Sequence, residues 1–299
     1  MSTTSSPGSD SGTSQLDDEQ RLALIKQGFW VNFPFVTDTL HMLEGLLTHP
    51  PSLRMPNLAI IGNSNSGKTM LINRFRSLHR PVENPALDRT ELPILLVQSP
   101  PEPDEGRLYF ALLKELFAAR SPREHVDSKK SRLEVLLRNL RTRMIILDEF
   151  NHALAGRDLK RKRFLNAIKY LSNELQIPIV VAGTPPSLNA LQSDEQLRNR
   201  FHERVIPRWR FGAEYARLLA SIESHLPLRE RSNLKTPDLA HIVLDLSQGT
   251  IGDTVGLVKV AASIAIKTGE ERITKETLDL KKLAKAGWSP PYSRTKSKQ

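Results

Sequence analysis

The segment from Gly62 to Thr69 matches the pattern G-x-x-x-x-G-K-[ST] without a gap. In such a loop the glycines let backbone N–H groups point at a β-phosphate, with the N-terminus of the next helix behind them. Lys68 would reach the β- and γ-phosphates of ATP, and the Thr69 hydroxyl would bind Mg²⁺. A glycine-rich turn with an incidental lysine is the alternative, but an apolar run precedes this loop and an amphipathic stretch follows it. The predicted nucleotide-binding residues are Gly62, Asn63, Ser64, Asn65, Ser66, Gly67, Lys68 and Thr69.

Two carboxylates follow a second apolar run, Met144–Leu147. Because this run has the pattern of a buried strand, Asp148 would emerge at its carboxyl end, where we expect it to hold Mg²⁺ through water. Glu149 would polarise the attacking water as a general base. A solvated strand end is the alternative, yet the pair favours ATP hydrolysis over phosphoryl transfer to a small substrate.

Three further residues are candidates for catalysis. Thr184 follows the apolar run Ile179–Ala182, where a polar side chain could sense the γ-phosphate, or could equally cap the next helix. Arg200, and after it Arg198, could complete a neighbouring subunit's site as an arginine finger. The alternative for both arginines is an ordinary solvated position on a helix surface.

The elements that must position these residues follow an α/β pattern. Short apolar runs without polar alternation are separated by helical stretches, which is typical of a parallel sheet covered on both faces. The runs are Leu58–Ile61, Pro93–Val97, Met144–Leu147 and Ile179–Ala182. After about residue 212 only helical patterns remain. We therefore predict an α/β fold, a P-loop core with a parallel sheet followed by an all-helical lid.

The predicted domain organisation has five segments. Composition shifts and proline pairs set their boundaries. They are a disordered N-terminal segment (1–20), an N-terminal helical segment (21–57), the α/β ATPase core (58–211), the helical lid (212–287) and a basic flexible tail (288–299).

The charge balance indicates a polyanionic partner. The chain has 43 lysines and arginines against 33 acidic residues, a net charge of +10. Nucleic acid ranks ahead of an anionic membrane surface, while a basic enzyme without such a partner is the alternative. Clustered lysines and arginines without interleaved aromatics suit sequence-independent contact with DNA phosphates, although solvated helix faces would look the same. The first basic cluster is Arg120, Arg123, Lys129, Lys130 and Arg132, and the second is Lys160, Arg161, Lys162 and Arg163.

Absent features exclude other classes of protein. The chain has no cysteine, which rules out disulfides, thiolate metal sites and cysteine nucleophiles. No apolar run approaches the length of a membrane span, and the N-terminus lacks the pattern of a secretory signal. We expect a cytoplasmic protein that has no membrane partner.

The order of these features resembles that of an AAA+ ATPase, and several segments resemble the TniB family more narrowly. TniB proteins are ATP-dependent transposition regulators of bacterial transposons, related to TnsC. The similarity covers roughly residues 20–285. It rests on Arg54-Met55-Pro56-Asn57-Leu58 before the P-loop, Val97-Gln98-Ser99-Pro100-Pro101-Glu102-Pro103, Asp148-Glu149 with His152, and the strand end Ala182-Gly183-Thr184.

The resemblance implies a bacterial ATPase that forms a ring or filament on double-stranded DNA. Its implied partners are a DDE-type transposase and a targeting protein of the TniQ type. The family places DNA contacts after the second core strand, which favours the first basic cluster. One stretch departs from the family pattern: Gly249–Thr254 lacks the arginine by which many AAA+ lids touch the γ-phosphate. The role of His152 stays open, since it could contact a neighbouring subunit or DNA, or could simply be packed or solvated.

Other functions remain as alternatives. A replication initiator or loader of the AAA+ class would share the fold, and only the Arg-Met-Pro-Asn and Gln-Ser-Pro-Pro segments count against it. An ATP-binding DNA scaffold with negligible hydrolysis is a third possibility. A small-molecule P-loop kinase is disfavoured by the Asp–Glu pair, the helical region and the basic surplus.

Overall fold

The computed structural model describes residues 16–84, 89–151 and 158–294. These residues form two compact units. One unit is Pro34–Pro207, called here the α/β unit. The other, called the helical unit, combines the described residues up to Phe33 with those from Arg208 onward.

Among the described residues, strands occur in the α/β unit only. The strands are β1 (Asn57–Ile61), β2 (Val82–Asn84), β3 (Arg89–Glu91), β4 (Ile94–Gln98), β5 (Met144–Asp148), β6 (Ile179–Gly183) and β7 (Phe201–Val205). The helices are α1 (Asp18–Lys26), α2 (Pro34–Leu47), α3 (Lys68–Leu78), α4 (Glu105–Glu115), α5 (Val126–Asn139), α6 (Asp158–Leu175), α7 (Pro185–Gln192), α8 (Glu195–Arg198), α9 (Ala213–Glu223), α10 (Pro237–Ser247), α11 (Ile251–Thr268), α12 (Leu280–Lys285) and α13 (Pro291–Arg294).

Five of the described strands form a parallel sheet in the order β4-β5-β6-β1-β7. Every residue of β1, β5 and β6 is buried, which requires cover on both faces of the sheet. The strands run in the same direction, so their carboxyl ends lie at the same end of the sheet. The segments after β1, β5 and β6 come together there. The predicted α/β class and its four strands are confirmed.

Strand β7 was not predicted, because Phe201–Val205 has no continuous apolar run. Only Phe201 is buried in this strand, since β7 lies at the sheet edge and pairs with β1 alone. An edge strand with polar residues lacks the continuous apolar run that identifies a central strand. The short antiparallel hairpin of β2 and β3 was missed for the same reason.

The core of the α/β unit is made by helices that cover the sheet. Leu108 and Leu112 of α4 and Phe164 and Ile168 of α6 are fully buried in one cluster with Leu147 of β5. Burying a side chain of this size contributes about 1.5–3 kcal/mol relative to leaving it exposed. This packing holds in place the carboxyl end of the sheet, where the predicted site residues lie.

The helical unit has its own apolar core, and α1 is part of it. Ile25 of α1 is buried in one cluster with Tyr215 of α9 and Leu257 and Ala261 of α11. The predicted N-terminal helical segment 21–57 is therefore divided between two units, with α1 in the helical unit and α2 in the α/β unit. This division could not be predicted, because the partners of α1 lie more than 180 residues away in the sequence.

The structure describes part of each predicted terminal segment. Asp17 caps α1, accepting a hydrogen bond from Gln20 N at 2.8 Å, so residues 17–20 belong to the start of this helix. Trp288, at the start of the predicted flexible tail, is 6% exposed and belongs to the core of the helical unit. Residues 1–15 and 295–299 lie outside the described residues.

Within residues 16–84, 89–151 and 158–294, no single helix is long and apolar enough to cross a membrane. Helices α10 and α11 meet that criterion of length and composition only together, as a pair bent by 118°. Both contribute buried side chains to the core of the helical unit.

Candidate nucleotide-binding and catalytic site

The P-loop leaves β1 and turns tightly into α3. A Cβ atom at Gly62 would lie 2.4 Å from Ser66 Oγ and 3.2 Å from Ile206 Cβ, so a larger residue would force the loop apart. Gly67 has a φ of 88°, in the left-handed region that favours glycine. Helix α3 begins at the next residue, which leaves the N–H groups of its first turn available to a phosphate.

The Lys68 side chain lies inside the P-loop and bonds two of its carbonyl oxygens. Its Nζ atom donates to the carbonyl oxygens of Gly62 and Asn63, each at 2.8 Å, and the side chain is buried. Burial lowers the pKa of Lys68, while the negative charges of Glu149 and Asp148 act in the opposite direction. The predicted phosphate-binding cation therefore lies in the field of both predicted carboxylates.

Thr69 and Asp148 are in direct contact, although they lie 79 positions apart in the sequence. The Thr69 hydroxyl donates to Asp148 Oδ2 at 2.7 Å. A hydroxyl and a carboxylate are the hard oxygen ligands that Mg²⁺ takes beside phosphate oxygens, so the donor set fits this cation. Among the described residues there is no group of three or more His, Asp or Glu that could hold a metal by itself. A cation here would depend on the nucleotide's own oxygens.

Glu149 has an unusual backbone and a tethered side chain. Its φ of 51° lies in the left-handed region, and its N–H donates to Asp148 Oδ1 at 2.8 Å. The carboxylate accepts a hydrogen bond from Asn151 Nδ2 at 2.6 Å on Oε2. The backbone conformation and this side-chain contact together orient the predicted general base.

Asn151 is the residue that the sequence analysis missed. Its only signal was an amide two positions after Glu149. In the structure its Oδ1 accepts a hydrogen bond from the backbone N–H of Thr184 at 2.9 Å, so it joins the ends of β5 and β6. His152, whose role was left open, lies outside the described residues.

Thr184 follows β6, which lies between β5 and β1 in the sheet. It occupies the N-cap position of α7, as the capping alternative proposed. Gly183 before it pairs with Ile61, and its carbonyl accepts a hydrogen bond from Gly62 N at 3.0 Å. Thr184 is thus close to the start of the P-loop, and its role as a sensor stays a prediction.

Arg200 lies far from the P-loop of its own chain. It immediately precedes β7, and Asn57 at the start of β1 donates its N–H to the Arg200 carbonyl oxygen at 2.8 Å. Since the P-loop follows the other end of β1, five residues on, the two are separated by roughly 16 Å along the strand. The Arg200 guanidinium hydrogen-bonds to Asn173, and Arg198 is exposed on α8.

A polar cleft opens beside Arg200. Its volume is about 370 Å³, and none of the described residues that line it is an Asp or a Glu. Its polar lining residues are Arg54, Gln196, Asn199, Arg200 and His202. Because two arginines are among its lining residues, the cleft suits an anionic ligand.

In the first basic cluster, Lys129 and Lys130 are committed to contacts within the chain. Lys129 is only 3% exposed, and its Nζ donates to the Pro122 carbonyl oxygen at 2.7 Å. Lys130 Nζ lies 3.5 Å from the ring centroid of Tyr170. Contact between Lys129 and DNA stays a prediction, and it would require the ammonium group to leave the Pro122 carbonyl.

The arginines of the first cluster differ in how accessible their side chains are. Arg132 forms a bidentate ion pair with Glu124, with Nη2 and Oε2 2.7 Å apart, and both side chains are largely shielded from solvent. This pair lowers the pKa of Glu124, chiefly through the hydrogen bond from Arg132. Arg120 and Arg123 are exposed. Only these two remain accessible to a phosphate without breaking an existing contact.

The second basic cluster lies on the first turns of α6. Lys162 and Arg163 are exposed, and Arg161 is half-buried. Lys160 is exposed as well, with Nζ 3.9 Å from a carboxylate oxygen of Glu102. An ion pair of that length between exposed groups contributes little to stability, so it leaves Lys160 available.

The comparison with protein families gives one match. A family model described as "Bacterial TniB protein" matches residues 21–211. That range includes the P-loop, the Asp–Glu pair, Thr184, both candidate finger arginines and both basic clusters. A search of curated proteins found no match.

Solved structures share the fold. The ORC1 protein of Aeropyrum pernix in complex with DNA has a TM-score of 0.59 and 20% identity, over 86% of this chain and 67% of that one. Cdc6p of Pyrobaculum aerophilum has a TM-score of 0.57 and 15% identity, over 91% and 71%. A Walker-type ATPase of Pyrococcus abyssi has a TM-score of 0.55 and 15% identity, over 88% and 75%. At these identities the likeness concerns the fold.

Proposed function

Because the chain belongs to the TniB family, we propose that it is an ATP-dependent regulator of transposition. Its α/β unit is a P-loop ATPase of the AAA+ class. In the proposed role it assembles on double-stranded DNA with ATP, communicates with a DDE-type transposase and a TniQ-type targeting protein, and uses slow hydrolysis to dismantle the assembly.

One observation carries the proposal. The Thr69 hydroxyl and Asp148 Oδ2 are 2.7 Å apart, with Lys68 and Glu149 beside them. This contact joins the phosphate-binding loop to the acids of β5, as ATP hydrolysis requires. Thr69 and Asp148 would hold Mg²⁺, which when bound neutralises charge on the β- and γ-phosphates.

The residues of the chain divide the remaining work. Lys68 would exchange its contacts with the Gly62 and Asn63 carbonyls for phosphate oxygens of ATP. The N–H groups at the start of α3 would bind the β-phosphate. Glu149 would accept a proton from the water that attacks the γ-phosphorus, while ADP leaves on the opposite side.

Substitution of Glu149 tests this mechanism. We expect Glu149→Gln to lower kcat for ATP hydrolysis at least 100-fold, because the amide cannot accept the proton. ATP binding should persist, and the ATP-bound assembly on DNA should last longer. Hydrolysis is measured as phosphate release, and the lifetime of the assembly after dilution into excess ADP.

Two variants control that experiment. Glu115→Gln changes an exposed carboxylate on α4 and should hydrolyse ATP at the wild-type rate. Lys68→Ala should abolish both binding and hydrolysis. If Glu149→Gln hydrolyses ATP normally, Glu149 is not the general base. If kcat falls but the lifetime of the assembly is unchanged, hydrolysis does not control disassembly.

Contact with DNA is proposed from the exposed cations of the two clusters. Arg120 and Arg123 in the first, and Lys160, Lys162 and Arg163 in the second, are the accessible ones. Phosphate contacts made by such side chains are independent of sequence and weaken with salt, which suits a protein that acts at many targets.

Assembly is proposed from the position of Arg200. Because it lies at the end of β1 opposite to its own P-loop, it could reach a γ-phosphate only in a neighbouring subunit. The anion-suited cleft beside it, which Arg54 also lines, supports a site completed between copies of the chain.

A replication initiator or loader is the second candidate. The ORC1 and Cdc6p structures favour it through the fold alone. A strand-joining assay separates the two candidates: a transposition regulator changes the rate or target choice of a DDE transposase in an ATP-dependent way, and an initiator leaves both unchanged.

A further inference from the structure

Asn151 connects the proposed general base to the end of β6. Its Nδ2 donates to Glu149 Oε2 at 2.6 Å, and its Oδ1 accepts from Thr184 N at 2.9 Å. An asparagine amide has one side that donates and one that accepts, and both are used here. We propose that Asn151 is a positioning residue that sets the orientation of the Glu149 carboxylate from the end of β6.

The anchor of Asn151 is firmly held. Ser187 on α7 is fully buried and accepts a hydrogen bond from the Thr184 N–H at 3.2 Å, while its hydroxyl lies 3.4 Å from Asn151 Oδ1. Space for this contact exists because residue 183 is glycine: a Cβ there would lie 2.6 Å from Ser187 Oγ. The amide of Asn151 is therefore attached to the corner between β6 and α7, where Ser187 is fully buried.

That corner is also attached to the P-loop. The Gly183 carbonyl accepts a hydrogen bond from Gly62 N at 3.0 Å, and Gly183 pairs with Ile61 in the sheet. A continuous series of hydrogen bonds runs from the first residue of the P-loop through the end of β6 and Asn151 to the base. Asn151 thus orients Glu149 relative to the loop that holds the phosphates.

The consequence for catalysis is geometric. With Oε2 bound by Asn151, Oε1 remains to accept the proton of the attacking water. The backbone of Glu149 is left-handed, with φ of 51°, and the amide of Asn151 contacts its carboxylate and holds it in one orientation. Loss of orientation at a reacting group of this kind can cost on the order of 100-fold in rate.

Two substitutions distinguish this role from a structural one. Asn151→Asp keeps an oxygen that can accept from Thr184 N but replaces the donor to Glu149 with a second carboxylate, which repels it. Asn151→Ala removes both contacts. Asn139→Asp makes the same change at an exposed asparagine of α5 and is the control.

We expect kcat for ATP hydrolysis to fall at least ten-fold in both Asn151 variants, while ATP affinity and melting temperature stay near wild type. Asn139→Asp should keep the wild-type kcat. Asn151→Asp with normal kcat would overturn the proposal, because Asn151 would then only anchor Thr184. A loss of ATP affinity that matches the loss of kcat, or a variant that no longer folds, would overturn it too.

This inference rests on Glu149 as the proposed general base. The two can fail separately. If Glu149→Gln hydrolyses ATP normally, the proposed mechanism fails; if Glu149→Gln is inactive and Asn151→Asp is fully active, only the role of Asn151 fails.

Discussion

Exposure separates the cations of the two basic clusters into those that can reach a phosphate and those that hold the fold. Lys129 is buried against the Pro122 carbonyl, whereas Lys162 and Arg163 project from α6 into solvent. A single residue's charge therefore does not determine its role, since its existing partners decide whether it can bind DNA.

A charge-reversal experiment tests this separation. We expect Lys162→Glu/Arg163→Glu to weaken ATP-dependent DNA binding at least ten-fold and to lower the slope of log K against log salt by about 2, because two phosphate contacts are lost. Binding is measured by fluorescence anisotropy of a labelled duplex at several salt concentrations.

The control carries the same change of charge elsewhere. Arg231→Glu/Lys235→Glu alters two exposed cations of the helical unit and should leave the salt slope unchanged. Arg120→Glu/Arg123→Glu measures the share of the first cluster. Equal losses in all three variants would indicate a response to net charge rather than a defined surface.

At the scale of elements, the end of β6 approaches α7 closely, and it can do so because residue 183 is a glycine, which has no side chain. Gly183→Ala would bring a Cβ to 2.6 Å from Ser187 Oγ and 2.8 Å from Ser187 Cβ. Since Ser187 is fully buried, the strand or helix has to shift. We expect a loss of about 1–3 kcal/mol in the free energy of unfolding, together with slower ATP hydrolysis.

Gly45 on α2 provides a matched comparison. Nothing lies within 4 Å of a Cβ built there, and the residue is inside a helix. Gly45→Ala should therefore stabilise the protein by about 0.5–1 kcal/mol through helix propensity. Urea unfolding followed by circular dichroism measures both variants. If Gly45→Ala is destabilised, the free space around a Cβ atom does not by itself determine the effect of these substitutions.

At the scale of the whole molecule, Arg21 ties the N-terminal helix to the helical unit. Its guanidinium bonds both carboxylate oxygens of Glu271, at 2.6 and 2.8 Å, and the arginine side chain is completely buried. We expect Arg21→Ala to lower the free energy of unfolding of this unit by about 3 kcal/mol, because a largely shielded carboxylate loses its partner.

This contribution should depend on pH. The hydrogen bond from Arg21 holds the pKa of Glu271 below its usual value of 4.5. A lowered carboxyl pKa contributes stability that is complete above the unfolded-state value and is lost as the pH falls through the folded-state value. The difference between wild type and Arg21→Ala should thus be constant from pH 7 to about 5.5 and shrink below about pH 4.5.

Tryptophan fluorescence isolates the helical unit, because all three tryptophans of the chain, Trp30, Trp209 and Trp288, belong to it. Lys275→Ala breaks an exposed ion pair with Asp238 in the same unit and should leave stability unchanged. A wild-type advantage that grows on acidification would contradict the assignment to Glu271.

The proposed assembly makes its own prediction. Arg200→Ala and Lys68→Ala should each be inactive alone, but a mixture should regain hydrolysis, because the Lys68→Ala subunit supplies Arg200 to a neighbour with an intact P-loop. Phosphate release is measured across mixing ratios with DNA present. Activity that stays at zero in every mixture would indicate that Arg200 does not act between subunits; Arg198→Ala tests the second candidate in the same way.

Local sequence sufficed wherever a function depends on consecutive residues. The P-loop from Gly62 to Thr69, the carboxylates Asp148 and Glu149 and the strands β1, β4, β5 and β6 were predicted because consecutive residues determine their chemistry or their burial. The carboxyl ends of β1 and β5 then had to lie at the same end of the parallel sheet, which placed Thr69 near Asp148, as observed at 2.7 Å.

Only the tertiary structure decided features that depend on contacts between distant segments. It placed α1 in the helical unit through Arg21 and Glu271, 250 positions apart, and gave β7 its place as an edge strand beside β1. It also buried Lys129 and set Asn151 between Glu149 and Thr184. Composition and periodicity cannot reveal these outcomes, because a polar side chain's partner is selected by the packing of whole elements and not by its neighbours in the chain.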